Sequence, residues 1–212
     1  MALLPFKDCS SILISGATSS GKTQWTYRLL QNLNTFETPP DAILFCYGVW
    51  QSLYDDIEAV PNVKLYQGLP NNLDEWCPDA KHRIIIIDDL MDKVVNDINM
   101  SLLFTQGCHH KHISTIYITQ NLFLQGKYAR TISLNTQYMI LFRSLRDASQ
   151  ITILGRQLFP GKSKLLTQVY EDVMKNPYSY LVIGNSPHGH AEYRLRTNIF
   201  PDEYPLIYIS KV

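Results

Sequence analysis

The chain has no C-x-x-C pair. Its four cysteines, Cys9, Cys46, Cys77 and Cys108, lie far apart in 212 residues. That excludes a disulfide scaffold and reads as free thiols in a reducing compartment. No apolar run approaches the ~20 residues of a membrane-spanning helix. The opening Met1-Ala2-Leu3-Leu4-Pro5-Phe6 lacks the charged start and longer apolar core of a signal peptide. A soluble intracellular protein with no membrane span is therefore expected. Net charge is also missing: lysine plus arginine and aspartate plus glutamate number 19 each. A neutral monomer is a poor polyanion binder, although a ring of subunits that focuses a few basic residues in its pore escapes that objection. No repeat and no low-complexity segment occurs. Hydrophobic residues reach 45% and charged ones only 18%, which suits a globular chain. The length suits one α/β domain spanning residues 1–212.

What is present begins with Gly16-Ala17-Thr18-Ser19-Ser20-Gly21-Lys22-Thr23. It reads G-x-x-x-x-G-K-[ST], the P-loop or Walker A pattern. It follows Ile12-Leu13-Ile14 and precedes Trp25-Thr26-Tyr27-Arg28-Leu29-Leu30, so the context is strand, glycine loop, helix. Gly16 and Gly21 let the backbone turn tightly and approach a phosphate. The N–H groups of the loop, through Gln24, then face the anion at a helix N-terminus. Lys22 supplies a point charge for the β- and γ-phosphates of ATP, and Thr23 a hydroxyl for Mg2+.

The second signal is Arg83-Ile84-Ile85-Ile86-Ile87-Asp88-Asp89. Four consecutive isoleucines belong at the centre of a sheet. The strand delivers its carboxylates to the sheet's C-terminal edge, where open α/β sheets bind ligands. This is the Walker B pattern. Asp88 is placed to hold magnesium, and Asp89 to orient or deprotonate an attacking water. Gln120 ends the next strand, Ser114–Thr119, where an amide can bridge that water and the γ-phosphate.

The remaining pattern predicts strands at 11–15, 42–47, 63–66, 138–142, 180–183 and 191–195. Helices are predicted from the P-loop to about 33, and over 52–60, 97–107, 147–158 and 163–174. Strands alternating with helices imply a mainly parallel sheet with helices on both faces. Trp25, Trp50 and Trp76 are expected in the core. Cys108-His109-His110-Lys111-His112 lacks the spaced pairs of a zinc site, and its metal reading is rejected. Arg130, Arg143, Arg146 and Arg156 follow the Gln120 strand, and each has a surface ion pair as its plain reading.

Taken together, Gly16–Thr23, Asp88-Asp89-Leu90-Met91, His109-His110 and Thr119-Gln120-Asn121-Leu122-Phe123 resemble genome-packaging ATPases of the FtsK–HerA superfamily. The likeness is to the poxvirus-type branch of Polinton (Maverick) elements, virophages and related viruses. Arg130–Asn135, Leu141-Phe142-Arg143, Arg146-Asp147 and Arg194–Phe200 are similar to that branch as well. The resemblance implies a RecA-like fold, ATP and Mg2+, a homo-oligomeric ring, double-stranded DNA, and a capsid or portal partner. It implies work at the site of virion assembly, in nucleus or cytoplasm, with virion association as an option. Where many superfamily members place an arginine before the sensor strand, this chain has His109, His110 and Lys111. The group reaching a neighbour's γ-phosphate is thus left among these three, Arg130, Arg143 and Arg146. Rival readings are another DNA motor or helicase, a P-loop small-molecule kinase, and a nucleotide-dependent assembly switch.

Overall fold

The computed structural model describes residues 4–70, 79–107, 112–145, 148–186 and 189–210. The strands are β1 (Ser11–Ser15), β2 (Ala42–Tyr47), β3 (Val63–Gln67), β4 (Arg83–Asp88), β5 (Ile113–Thr119), β6 (Tyr138–Phe142), β7 (Tyr180–Gly184), β8 (Leu195–Thr197) and β9 (Leu206–Tyr208). The helices are α1 (Lys22–Gln31), α2 (Leu53–Glu58), α3 (Met91–Val94), α4 (Ile98–Leu102), α5 (Ala129–Leu134), α6 (Ala148–Leu158) and α7 (Ser163–Val173).

One sheet joins all nine strands in the order β3-β2-β4-β5-β1-β6-β7-β8-β9. The six from β3 to β6 are parallel, and β7 to β9 continue the sheet antiparallel. The isoleucine run explains the two-sided core. Strand side chains alternate between faces, so Ile84 and Ile86 enter one core with Trp25 and Leu29 of α1 and Tyr54 and Ile57 of α2. Ile85 and Ile87 enter the other with Met100 of α4, Leu154 of α6 and Leu166 and Val169 of α7. Helices therefore cover both faces, as the alternation of elements predicts.

Four expectations are corrected. The helix expected over 97–107 stops at Leu102, and a π-helical turn follows over Leu103–Gly107. Thr105 Oγ1 bonds back to the carbonyls of Ser101 and Leu102 there, a habit of threonine that competes with regular helix bonding. Asp97 does start the helix, its carboxylate accepting from the N–H groups of Asn99 and Met100. The strand expected at 191–195 lies further on: Ala191–Tyr193 is a 3-10 turn and pairing begins at Leu195. The helix after the glycine loop ends at Gln31, and a 3-10 turn carries the chain over Leu33–Thr35. Trp25 is buried, but Trp50 is 47% exposed and lies edge-on to Tyr47 and Tyr54. Trp76, Cys77, Cys108, His109, His110, Lys111 and Arg146 lie outside the described residues.

Candidate functional site

The C-terminal ends of β1, β4 and β5 meet at one edge of the sheet. β5 stands between β4 and β1, so the loop after β1, the aspartates at the end of β4 and the glutamine after β5 converge. Between them lies a cavity of about 570 Å³, lined by Lys22, Thr23, Asp88, Asp89, Gln120 and Asn121 among others. Thr18, Ser19, Gly21 and Gln24 of the loop line it too. Its size is that of a small-ligand pocket.

The loop after β1 depends on both glycines. A side chain on Gly16 would come within 2.5 Å of Phe142 Cβ. Gly21 adopts φ +101, which L side chains resist. Gly21 is the N-cap of α1, and its carbonyl accepts from Trp25 N at 2.8 Å. The N–H groups of the first turn have no partner within the helix and suit an anion.

Lys22 is buried, and its Nζ donates to the carbonyls of Gly16 and Ala17, both at 2.8 Å. Burial lowers its pKa, while Asp88 and Asp89 nearby act to raise it. Asp88 is 5% exposed. Its Oδ2 accepts from Thr23 Oγ1 at 3.0 Å and from Tyr54 OH at 3.1 Å. Burial raises the Asp88 pKa despite these two donors. Asp89 lines the same cavity but is exposed, at φ +57, in the left-handed region that aspartate tolerates better than most residues. Gln120 is also exposed, and its Oε1 accepts from Thr18 Oγ1 at 3.2 Å. Met91 Sδ accepts from Asn121 Nδ2 at 3.5 Å and fastens the turn beside it.

Thr23 and Asp88 offer two hard oxygen donors side by side, a set suited to Mg2+. No cluster of three or more His, Cys, Asp or Glu with metal-holding geometry occurs among the described residues.

Comparison with solved structures places the fold. The chain aligns with the genome packaging NTPase B204 of Sulfolobus turreted icosahedral virus 2 in complex with ATP-gammaS, at 14% identity. The alignment covers 83% of this chain and 92% of that one, with a TM-score of 0.53. This is a RecA-like P-loop NTPase fold. The KaiC-like protein PH0186 from Pyrococcus horikoshii OT3 aligns at 11% identity over 96% of this chain and 91% of that one, with a TM-score of 0.48. No family model and no curated protein matches the sequence.

The structure thus gathers Lys22, Thr23, Asp88, Asp89 and Gln120. Of the finger candidates, the two that lie among the described residues, Arg130 and Arg143, do not line that cavity. Arg130 is exposed on α5 and lines neither this cavity nor its neighbour. Arg143 lines a second cavity on the far side of the loop. Among the described residues, no helix is long and apolar enough to cross a membrane.

Two site residues escaped the sequence. Tyr54 is completely buried in α2, within an aromatic cluster of Phe45, Tyr47 and Trp50. Its only signal was its spacing of three from Ile57 on the buried helix face. Gly48 follows β2, and a side chain there would meet Asp89 O at 2.6 Å. It lets the end of β2 pass the backbone that carries Asp89.

Proposed function

We propose that this chain is one P-loop ATPase domain that couples ATP hydrolysis to moving double-stranded DNA into a capsid. On this reading it belongs to the poxvirus-type branch of the FtsK–HerA superfamily, works as a homo-oligomeric ring and acts where virions assemble. The observation that carries the ATPase reading is the convergence of Lys22, Thr23, Asp88, Asp89 and Gln120 on one cavity. The fold shared with a viral genome packaging NTPase supports the step from nucleotide to DNA.

The chemistry follows from the residues. The loop N–H groups and Lys22 hold the phosphates and offset the charge that develops on them. Thr23 and Asp88 would hold Mg2+, which when bound would neutralise phosphate charge. Asp89 orients a water for in-line attack on the γ-phosphorus and accepts its proton. The new bond forms from that water oxygen, and the bond to the β–γ bridging oxygen breaks. Gln120, tied to the loop through Thr18, positions the water and senses the γ-phosphate.

The test is phosphate release by the purified protein in Mg-ATP, with and without linear double-stranded DNA, beside Lys22→Ala. The expected result is magnesium-dependent turnover that DNA raises and the variant lacks. Turnover equal in the variant would remove the loop from the chemistry, and turnover indifferent to DNA would remove the motor.

A further inference from the structure

A second cavity, of about 670 Å³, opens on the other side of the glycine loop. It shares Thr18, Ser19, Gln120 and Asn121 with the phosphate cavity, so the two are contiguous. Its outer wall is unlike the first. Leu145 and Tyr178 line it, 80% and 73% exposed, with Pro177 and Arg143 beside them. Two large apolar side chains left in solvent beside a polar anion loop need a reason, because exposed apolar surface at a cleft marks binding.

Both walls are built. Tyr170 of α7 donates its hydroxyl to Phe142 O at 2.9 Å and accepts from Ser144 N at 3.0 Å, which fixes the segment leading to Leu145. Ser179 Oγ bonds the carbonyls of Val173 and Asn176, at 2.6 and 2.7 Å, and fixes the turn through Pro177. Tyr178 sits in that turn at φ +59, a conformation that costs a bulky residue energy and tends to mark function. The turn sets the ring directly on the loop: a side chain on Gly21 would meet Tyr178 Cδ1 at 3.2 Å. Gly21 is thus required twice, for its own φ and for the closeness of this ring.

We infer that Tyr178, flanked by Leu145 and Pro177, is the stacking platform for the base of the bound nucleoside triphosphate. This rests on the phosphate-loop reading and adds to it the place of the base. The triphosphate occupies the polar cavity, and the base lies over the loop against the phenol ring. Aromatic stacking accepts any base, because each has a π-face, so the platform supplies affinity rather than choice of base.

The test is calorimetric titration of wild type, Tyr178→Asn and Tyr178→Phe with Mg-ADP, Mg-GDP and Mg-pyrophosphate. Asparagine tolerates the left-handed backbone that Tyr178 occupies, so the turn is kept while the ring is lost. Expected is about tenfold weaker binding of both ADP and GDP by Tyr178→Asn, unchanged pyrophosphate binding, and near wild-type behaviour of Tyr178→Phe. ADP binding unchanged in Tyr178→Asn would overturn the proposal. So would an equal loss of ADP and pyrophosphate, which would make the tyrosine a support for the loop. Wild type that binds neither ligand would instead remove the phosphate site, and the base site with it.

Discussion

Asp88 is a carboxylate held where water barely reaches. The group itself makes folding harder at neutral pH, because burial lifts its pKa above the unfolded value. A raised carboxyl pKa gives a stability contribution that is complete below the unfolded value, about 3.9. That contribution is lost as pH rises through the folded value. Asp88→Asn, which never ionises, should therefore melt higher than wild type at pH 7 without nucleotide, and the gain should vanish near pH 3. Added ATP should raise the melting temperature of both proteins, and magnesium should add a further rise in the wild type alone. Thermal melts across pH and magnesium check both halves. Asp89→Asn should still bind Mg-ATP while hydrolysis falls sharply. Tyr54 gives a finer test, since its hydroxyl donates to the carboxylate that on the proposed reading would hold Mg2+. Tyr54→Phe keeps the ring among its aromatic neighbours, and should raise the magnesium concentration for half-maximal turnover about tenfold. That the glycine-lysine loop and the paired aspartates meet at one cavity was legible in the sequence, because their spacing follows the Walker patterns. Tyr54 was not, because its link to Asp88 crosses from α2 to β4 and leaves no trace in local pattern.

Elements were legible in proportion to the length and burial of their apolar runs. β4, β5 and β6 stand where the runs at 84–87, 114–119 and 138–142 indicate, because strands buried on both faces need unbroken apolar sequence. The edge beyond β7 was harder. Alternation over Ala191–Leu195 imitates a half-buried strand, yet the ladder is made by Leu195–Thr197, which pairs with β7 and with β9. β9 has three residues, none of them buried, too short to leave a pattern. The junction of β2 and β4 supplies a prediction at this scale. Gly48 N donates to Asp88 O at 3.2 Å, and the missing side chain of Gly48 leaves room for Asp89 O. Gly48→Ala forces that carbonyl away, at a cost of about 1–3 kcal/mol for an overpacked contact. Since Asp89 already sits at a left-handed φ, the displacement falls on it rather than on the core. Turnover should fall by an order of magnitude or more while the circular dichroism spectrum at 25 °C stays native. Turnover that follows stability alone would mean that Asp89 has slack.

At the scale of the whole molecule, two facts bear on assembly: the chain carries no net charge, and neither of the two finger candidates among the described residues, Arg130 and Arg143, lines the phosphate cavity itself. Arg130 faces solvent on α5, and Arg143 opens into the neighbouring cavity. Among the described residues, Lys22 is the cationic side chain that lines the phosphate cavity. Arginine supplied by a partner is worth about 10³–10⁵ in rate for phosphoryl transfer, so a solitary subunit should be slow. A neutral monomer should also hold DNA weakly, whereas several subunits around one duplex add their grips at high effective concentration. On the proposed reading, both shortfalls would be met by a ring in which each subunit lends a basic group to its neighbour. Specific ATPase activity is therefore expected to rise with protein concentration, and again with double-stranded DNA. Lys22→Ala should by itself lower turnover a hundredfold or more, since it removes a charge aimed at the transition state. Mixed with wild type, such subunits should inhibit beyond simple dilution. The donated group is then found by pairing. Arg130→Ala or Arg143→Ala should be rescued by Lys22→Ala subunits only if the altered arginine acts across the interface, because the dead subunit still carries it. Activity strictly proportional to enzyme from nanomolar upward, and indifferent to dead subunits, would mean that each chain completes its own site.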